Sequence, residues 1–232
     1  MRRANFTNFW STSAILVAVT LGWSLPAPAN AADGDLDKTF DGDGKVTTDF
    51  GNFGTSDGAA DVVIQSNGKI VVGGNTGSSG DLARYNPNGS LDSTFGNGGS
   101  SGGSGVTVAA IALQNDGKIV VVGGRVVINN GVDFAVARFN SNGSLDDGSA
   151  NDSTPGDSFG TGGLVTTDFG DDDNATGVAI QSDGKIVVVG HLGPTNSGFN
   201  VDFAIARYNT NGSLDSGGAG DSTPGDSFGT GG

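Results

Sequence analysis

Residues Ala175–Asn209 read ATGVAIQSDGKIVVVGHLGPTNSGFNVDFAIARYN, and two earlier segments are variants of the same text. The first runs Asp61–Asn86, with DVVIQSNGKIVVGG followed by DLARYN; the second runs Val108–Asn140, with VAAIALQNDGKIVVVGG followed by DFAVARFN. In each copy two β-branched runs flank Asn67-Gly68, Asp116-Gly117 or Asp183-Gly184. Asn-Gly and Asp-Gly in that setting predict a tight hairpin of type I′, with positive φ at both residues and glycine supplying it most cheaply. Gly68, Gly117 and Gly184 are therefore structural repeat positions. A third strand follows, with Phe203, Ile205 and Arg207 on one side and Ala204, Ala206 and Tyr208 on the other. It ends at Asn211-Gly212, matched by Asn88-Gly89 and Asn142-Gly143. Val165–Phe169, matched by Val46–Phe50, supplies a fourth strand candidate. The unit reads as an antiparallel meander of four strands.

The middle strands, such as Ile186–Val189, are apolar at every position, whereas a sheet with one wet face would alternate. Both faces of each sheet need neighbours, as when blades pack in a propeller or an array. The fold expected is all-β: tandem four-stranded antiparallel repeats, β-propeller-like blades, with three repeats leaving the ring incomplete. A count of three also leaves a β-trefoil or β-prism open as the alternative. The repeats span roughly 35–90, 91–144 and 145–213, with 214–232 opening a fourth, inside one repeat domain covering 32–232.

Composition narrows the setting. The 232 residues include 43 glycines and no cysteine, with a formal net charge of −14. Residues 1–31 read as a secretory signal peptide: Arg2 and Arg3, an apolar stretch Ala14–Leu25, and Ala29-Asn30-Ala31 with cleavage after Ala31. An uncleaved anchor is disfavoured because the apolar stretch is shorter than the ~20 residues a spanning helix needs, and a twin-arginine route because no clear motif surrounds Arg2 and Arg3 at the extreme start. Cleavage would leave nine basic against 25 acidic residues, a balance that argues against nucleic acid as a partner. No later segment is apolar enough to span a membrane. The expected location is secreted, periplasmic or cell surface. Without cysteine there is no disulfide framework.

The repeats are not uniform. Gly96–Gly105 stands where the second copy should carry its Val-Thr-Thr-Asp-Phe strand, which predicts a three-stranded blade with a flexible edge. Asp37 to Phe40 and Asp92 to Phe95 are three-residue steps, but Asp146 to Phe159 and Asp215 to Phe228 are thirteen-residue steps. Both insertions end in DSTPGDSFGTGG, at Asp152–Gly163 and Asp221–Gly232. The second reads as the start of a further repeat, so the chain reads as a fragment truncated at its C-terminus.

These strings together, LD-x-TF near Leu36–Phe40, VTTDFG at Val46–Gly51, VAIQ-x-DGKIVVVG at Val178–Gly190 and DFA-x-ARYN at Asp202–Asn209, resemble the delta-60 repeat family. The resemblance covers nearly all of the chain after residue 31. It implies an exported bacterial β-propeller-like repeat protein, and it brings no reaction or catalytic residues.

Candidate chemistry is thin. Arg84, Arg138 and Arg207 recur at one place in the third strand, with Asp133 and Asp202 five residues before the last two. They read as inter-blade ties to a repeat carboxylate such as Asp49, Asp168 or Asp215, because catalytic groups must converge whereas these are dispersed one per repeat. Lys69, Lys118 and Lys185 read as solvated charges at strand starts. Asp33, Asp35, Asp37, Asp41 and Asp43, and separately Asp171, Asp172 and Asp173, are clustered oxygen donors that make calcium the one cofactor to consider. An EF-hand loop is excluded, since Lys38 and Gly44 hold the places of its glycine and glutamate. Aspartate at turns is also ordinary turn chemistry. His191, the only histidine, reads as a loop residue; one histidine without cysteine argues against a transition-metal site.

The function expected is a non-catalytic binding or surface-display scaffold. Its ligand, a protein or glycan, would meet the variable loops Asn75–Gly80, Ile128–Gly131 and Pro194–Asn200. Further repeats or other chains would cover exposed blade faces. The alternatives are a calcium-stabilised adhesive repeat and a fragment of a propeller hydrolase or lyase.

Overall fold

Eleven strands build three consecutive antiparallel sheets in a computed structural model that describes residues 34–49, 56–77, 79–128, 131–150, 152–170, 172–193, 202–218 and 227–229. Sheet 1 contains β1 (Asp57–Ile64), β2 (Ile70–Thr76), β3 (Ser79–Tyr85) and β4 (Ser100–Gly102). Sheet 2 contains β5 (Ala110–Leu113), β6 (Ile119–Val127), β7 (Gly131–Phe139) and β8 (Leu164–Thr167). Sheet 3 contains β9 (Asp172–Ile180), β10 (Ile186–Gly193) and β11 (Asp202–Tyr208). The described residues from Leu36 onward form one compact unit. The signal-peptide reading falls outside the described residues. Among those described, no helix is long and apolar enough to cross a membrane.

The hairpins form where the β-branched runs place them, but the turn type differs from the expectation. Gly68, Gly117 and Gly184 have φ of 80°, 85° and 88°, while among described residues only Asp41 combines a side chain with positive φ. Gly68 N–H donates to Gln65 O and Gln65 N–H to Lys69 O, each at 2.8 Å. The loop is thus three residues long, with a single left-handed glycine at its end. Asn67, Asp116 and Asp183 stay on the negative-φ side. Their side-chain oxygens accept the N–H of Lys69, Lys118 and Lys185 at 3.0–3.1 Å, a side-chain-closed turn.

The fourth strand of each sheet comes from the following sequence repeat. Leu164–Thr167 pairs with β7, in register Phe134↔Thr167 and Val136↔Val165. Within the glycine-serine stretch expected to lack a strand, Ser100–Gly102 forms a short one against β3. Val46–Asp49 is assigned to no strand. His191 lies inside β10, opposite Phe203, and not in a loop. Asn75–Gly80 and Ile128–Gly131 include residues outside the described ones; their described members join β2 to β3 through Thr76↔Ser79 and β6 to β7 through Val127↔Gly131. Pro194–Asn200 lies outside the described residues.

Packing follows the all-apolar middle strands. One core joins sheets 1 and 2 through Val71, Leu82, Phe95, Ile111, Val121 and Ala137. A second joins sheets 2 and 3 through Val122, Phe134, Val136, Ile186, Val188 and Tyr208. Ile119–Val122, at 0–1% exposure, serve both cores alternately. The sheets therefore stack blade-like in sequence order, with no closed ring; this is not the arrangement of a trefoil or prism. Glycine sets the spacing: a Cβ on Gly190 would lie 2.0 Å from Asn174 O and 2.6 Å from the Phe134 ring.

Candidate functional site

The most ordered polar constellation recurs once per repeat. Asp92 accepts from Arg84 Nε at 2.7 Å and from Lys69 Nζ at 2.6 Å. Asp146 accepts from Arg138 Nε and from Lys118 Nζ at 3.0 Å. Asp215 accepts from Arg207 Nε and from Lys185 Nζ at 2.9 Å. Three features of the repeat assemble each clasp. The lysine directly follows the hairpin glycine, the arginine points from the third strand, and the aspartate opens the next repeat. Each guanidinium also lies over the following phenylalanine, Phe95, Phe159 or Phe228, at 4.6–5.0 Å from the ring centre, within cation–π range.

Two expectations change here. The carboxylate partnering each arginine comes from the Leu-Asp pair, so Asp215 pairs as expected but Asp49 and Asp168 are not the clasp residues. The lysines are not solvated: Lys118 and Lys185 are buried, and Lys69 is three-quarters covered at its side chain. A buried ammonium needs a counter-charge, which the clasp aspartate supplies. The sequence did carry a signal, because Lys69, Lys118 and Lys185 recur in all three copies.

The clasp ties repeats together through the remaining guanidinium donors. Arg84 Nη1 donates to Ser141 O and Arg138 Nη1 to Thr210 O, each in the terminal turn of the next repeat. Other ties run alongside. Asn75 exchanges two hydrogen bonds with the Val108 backbone, at 2.9 and 2.7 Å, and Ile111 N–H donates to Asp61.

The ten-residue insertion leaves the clasp intact. Phe95 N–H donates to Asp92 O at 3.0 Å, and Phe159 N–H donates to Asp146 O at the same distance despite the longer path. In the short copy Thr94 Oγ1 donates to Asp92; in the long copy Thr154 reaches back to Asp146. The insertion adds Asp157, which takes a second hydrogen bond from Lys118 at 2.6 Å. Asp152 organises its base, accepting from Gly148 and Thr154 N–H at 2.9 Å.

Electrostatics follow this wiring. The Lys69 ammonium, helped by Thr94 and Arg84, holds Asp92 below the usual carboxylate range against the opposing effect of burial. Lys118 lowers Asp157 in the same way. Burial disfavours the Lys118 ammonium, but Asp157 and Asp146 outweigh it and the lysine is raised. Burial likewise opposes ionisation of Asp152, and the backbone donors Thr154 and Gly148 outweigh it, lowering its carboxyl. Burial pushes the Tyr208 phenol up to about 12, partly offset by its hydrogen bond with Thr167.

A cleft of about 340 Å³ opens onto the central clasp, lined by Asp116, Lys118, Arg138, Asp157 and Thr210 among others. Both cations there already hold carboxylates, so an anionic ligand would have to displace Asp157. A wider cleft of about 900 Å³ near Arg125, Thr166 and Ser213 brings no pair of titratable groups together.

The calcium candidates disperse. Asp33 and Asp171 lie outside the described residues. Asp37 accepts from Thr39 N–H and hydroxyl at 2.9 and 2.6 Å, as Asp92 does from Thr94, and its carboxyl is lowered by that hydroxyl. Asp43 serves Lys45, Asp172 accepts from Val132 N–H and Asp173 from Phe169 N–H. Asp35 and Asp41 join no acidic group among the described residues. The one such group there is Asp133, Asp168 and Asp173, with ligand atoms within 4.8 Å of one another; it takes Asp173 alone from the expected set.

Fold and clasp define a class: tandem propeller-like blades locked by a buried ion pair per repeat. Comparison with family models agrees. Residues 65–95, 114–148 and 181–217 match a domain of unknown function (DUF5122) described as a β-propeller, which supports a propeller-type repeat family of unknown function. The three matches begin at the hairpin glutamines Gln65, Gln114 and Gln181 and run to the clasp segments. No curated protein sequence matches the chain. Among solved structures the chain is similar to a GH43 endo-arabinanase from Bacillus licheniformis, at 19% identity and a TM-score of 0.35 over 66% of this chain. It spans 55% of that protein's length.

Proposed function

We propose that this chain is an exported, non-catalytic β-propeller-like scaffold of the delta-60 type, acting at the cell surface, in the periplasm or outside the cell. It would bind a protein or glycan at the segments that vary between repeats, Asn75–Gly80, Ile128–Gly131 and Pro194–Asn200. The observation that carries this reading is the division of labour along the repeat. The recurring Lys, Arg and Asp are spent on one another in the clasps, while these segments differ in each copy. Ile128, 87% exposed in one of them, is the sort of apolar contact a partner would cover. The signal-like residues 1–31 support export. Glycan and protein arrays test the binding role: substitutions in the variable segments should remove a bound ligand while clasp substitutions act only through stability. Turnover on glycan or ester panels that a variable-segment substitution abolishes would overturn it.

Calcium stiffening is a second reading, favoured by the approach of Asp133, Asp168 and Asp173. Thermal unfolding with and without millimolar calcium decides it, since a ligand of the folded state raises the midpoint. An unchanged midpoint removes calcium from the account.

A further inference from the structure

Sheet 3 turns toward solvent the same face that sheet 2 buries. Phe134, Val136 and Val122 are 0% exposed against sheet 3, whereas their repeat equivalents Phe203, Ile205 and Val189 are 89%, 41% and 41% exposed. At the other end, sheet 1 offers the receiving surface. In the sheet 2–sheet 3 contact, Phe134 lies against Gly190 and packs in one core with Ala175, Ile186 and Val188. The equivalents on sheet 1 are Gly74, Ala59, Ile70 and Val72, which line an apolar cleft of about 320 Å³.

The segment beside that cleft is already set for a neighbour. Thr48 Oγ1 lies 2.6 Å from the Tyr85 hydroxyl, as Thr167 Oγ1 lies 2.7 Å from that of Tyr208. Asp41 N–H donates to Asn88 O at 2.7 Å, as Gly160 N–H donates to Asn211 O at 2.8 Å. Lys45–Asp49 therefore occupies, over sheet 1, the place that β8 occupies over sheet 3. β8 is paired there with β7, whose repeat equivalent is β11.

We propose that a second copy of this chain docks its sheet 3 onto this surface, head to tail. Its β11 edge pairs with Lys45–Asp49 in the β7–β8 register, Phe203 opposite Thr48 and Ile205 opposite Val46, and Phe203 enters the cleft over Gly74. The sheet 2–sheet 3 contact within one chain is the template, so the surfaces are complementary by descent from one repeat. A head-to-tail contact either closes or propagates. The joint also imposes an exchange. Asp37 and Phe40 of one copy and Asp215 and Phe228 of the other hold the same places relative to the joined blades, so one pair must yield. This inference rests on the fold and not on the proposed binding role, and a failed ligand search leaves it standing.

Light scattering on this chain across concentration is the test, with a mass of at least twice the monomer's expected. Phe203→Asp should weaken association at least about thirty-fold, as loss of a central aromatic anchor does. Its melting in the monomeric state should be unchanged, because the side chain is exposed there. Ile128→Asp, an equally exposed site off this face, should leave the mass alone. The chain has no cysteine, so mixing Asp49→Cys chains with Asp202→Cys chains and adding a short bismaleimide should yield a covalent dimer. A chain monomeric at all concentrations, or an oligomer indifferent to Phe203→Asp, overturns the proposal.

Discussion

Replacing Asp146 by asparagine removes one charge from the centre of the structure and keeps the side-chain shape. Asp146 is 0% exposed and neutralises Arg138 and Lys118, themselves only 4% and 7% exposed. Removing one partner of a buried pair costs about 3–5 kcal/mol, because the remaining charge is stranded. Here Lys118 keeps Asp157 and Arg138 keeps the Thr210 carbonyl, which places the expected loss near the lower end, about 3 kcal/mol. For a unit of this size each kcal/mol moves the melting temperature by about 2–4 °C, so Asp146→Asn should melt about 6–12 °C lower. Far-UV circular dichroism during urea and thermal unfolding measures it. Lys118→Met completes a double-mutant cycle: with the ammonium gone, Asp146→Asn should cost less by at least about 1 kcal/mol. A single-mutant loss below about 1 kcal/mol, or a cycle with no coupling, would refute the view that the clasp is a mutually dependent buried pair.

Acid should unfold the protein for the same reason. Asp92, Asp152 and Asp157 are held low when folded, so the unfolded chain takes up protons first as pH falls through about 4. Stability should be full above that range and decline below it, as pH-dependent urea midpoints would report. At the other extreme Lys118 is raised and Tyr208 lies at about 12. Stability should therefore be full below about 10 and fall as pH rises from there through the folded values. Gly190→Ala should cost several times the ~1 kcal/mol of an exposed helix-interior Gly change, because the new methyl meets Asn174 O at 2.0 Å; calorimetry reads the shift. Deleting Asp147–Gly156 should leave melting within a few degrees. The closure of Phe159 N–H on Asp146 O matches that of the short copy, loop length carries a small entropic term, and Ser158 can stand in for Thr94.

Most of the blade is legible in the text because each strand announces itself twice, by β-branched residues and by a glycine turn. Ile119–Val122 and Ile186–Val188 are apolar throughout, and burial on both sides follows. What the text leaves open are matters of partner choice. Asn67, Asp116 and Asp183 could enter the left-handed region or close the turn with a side-chain oxygen; both suit Asn-Gly and Asp-Gly, and the chain takes the second. Val165 could join strands before or after it in sequence, and it joins β7 behind it. Ser100–Gly102 lacks every strand preference yet pairs, since the β3 edge needs its backbone groups satisfied. The clasp stayed hidden because Lys69 and Asp92 stand 23 residues apart and a lysine after a turn is ordinarily wet. Three repetitions of that lysine were the available clue.

Each blade depends on a neighbour for its second face. Hydrogen exchange on the Phe203→Asp chain, held monomeric by that substitution, tests it directly. The amides of β6 and β7, covered on both faces, should exchange slowest, and those of β11 should exchange far faster. Equal protection of β7 and β11 in that monomer would contradict the account.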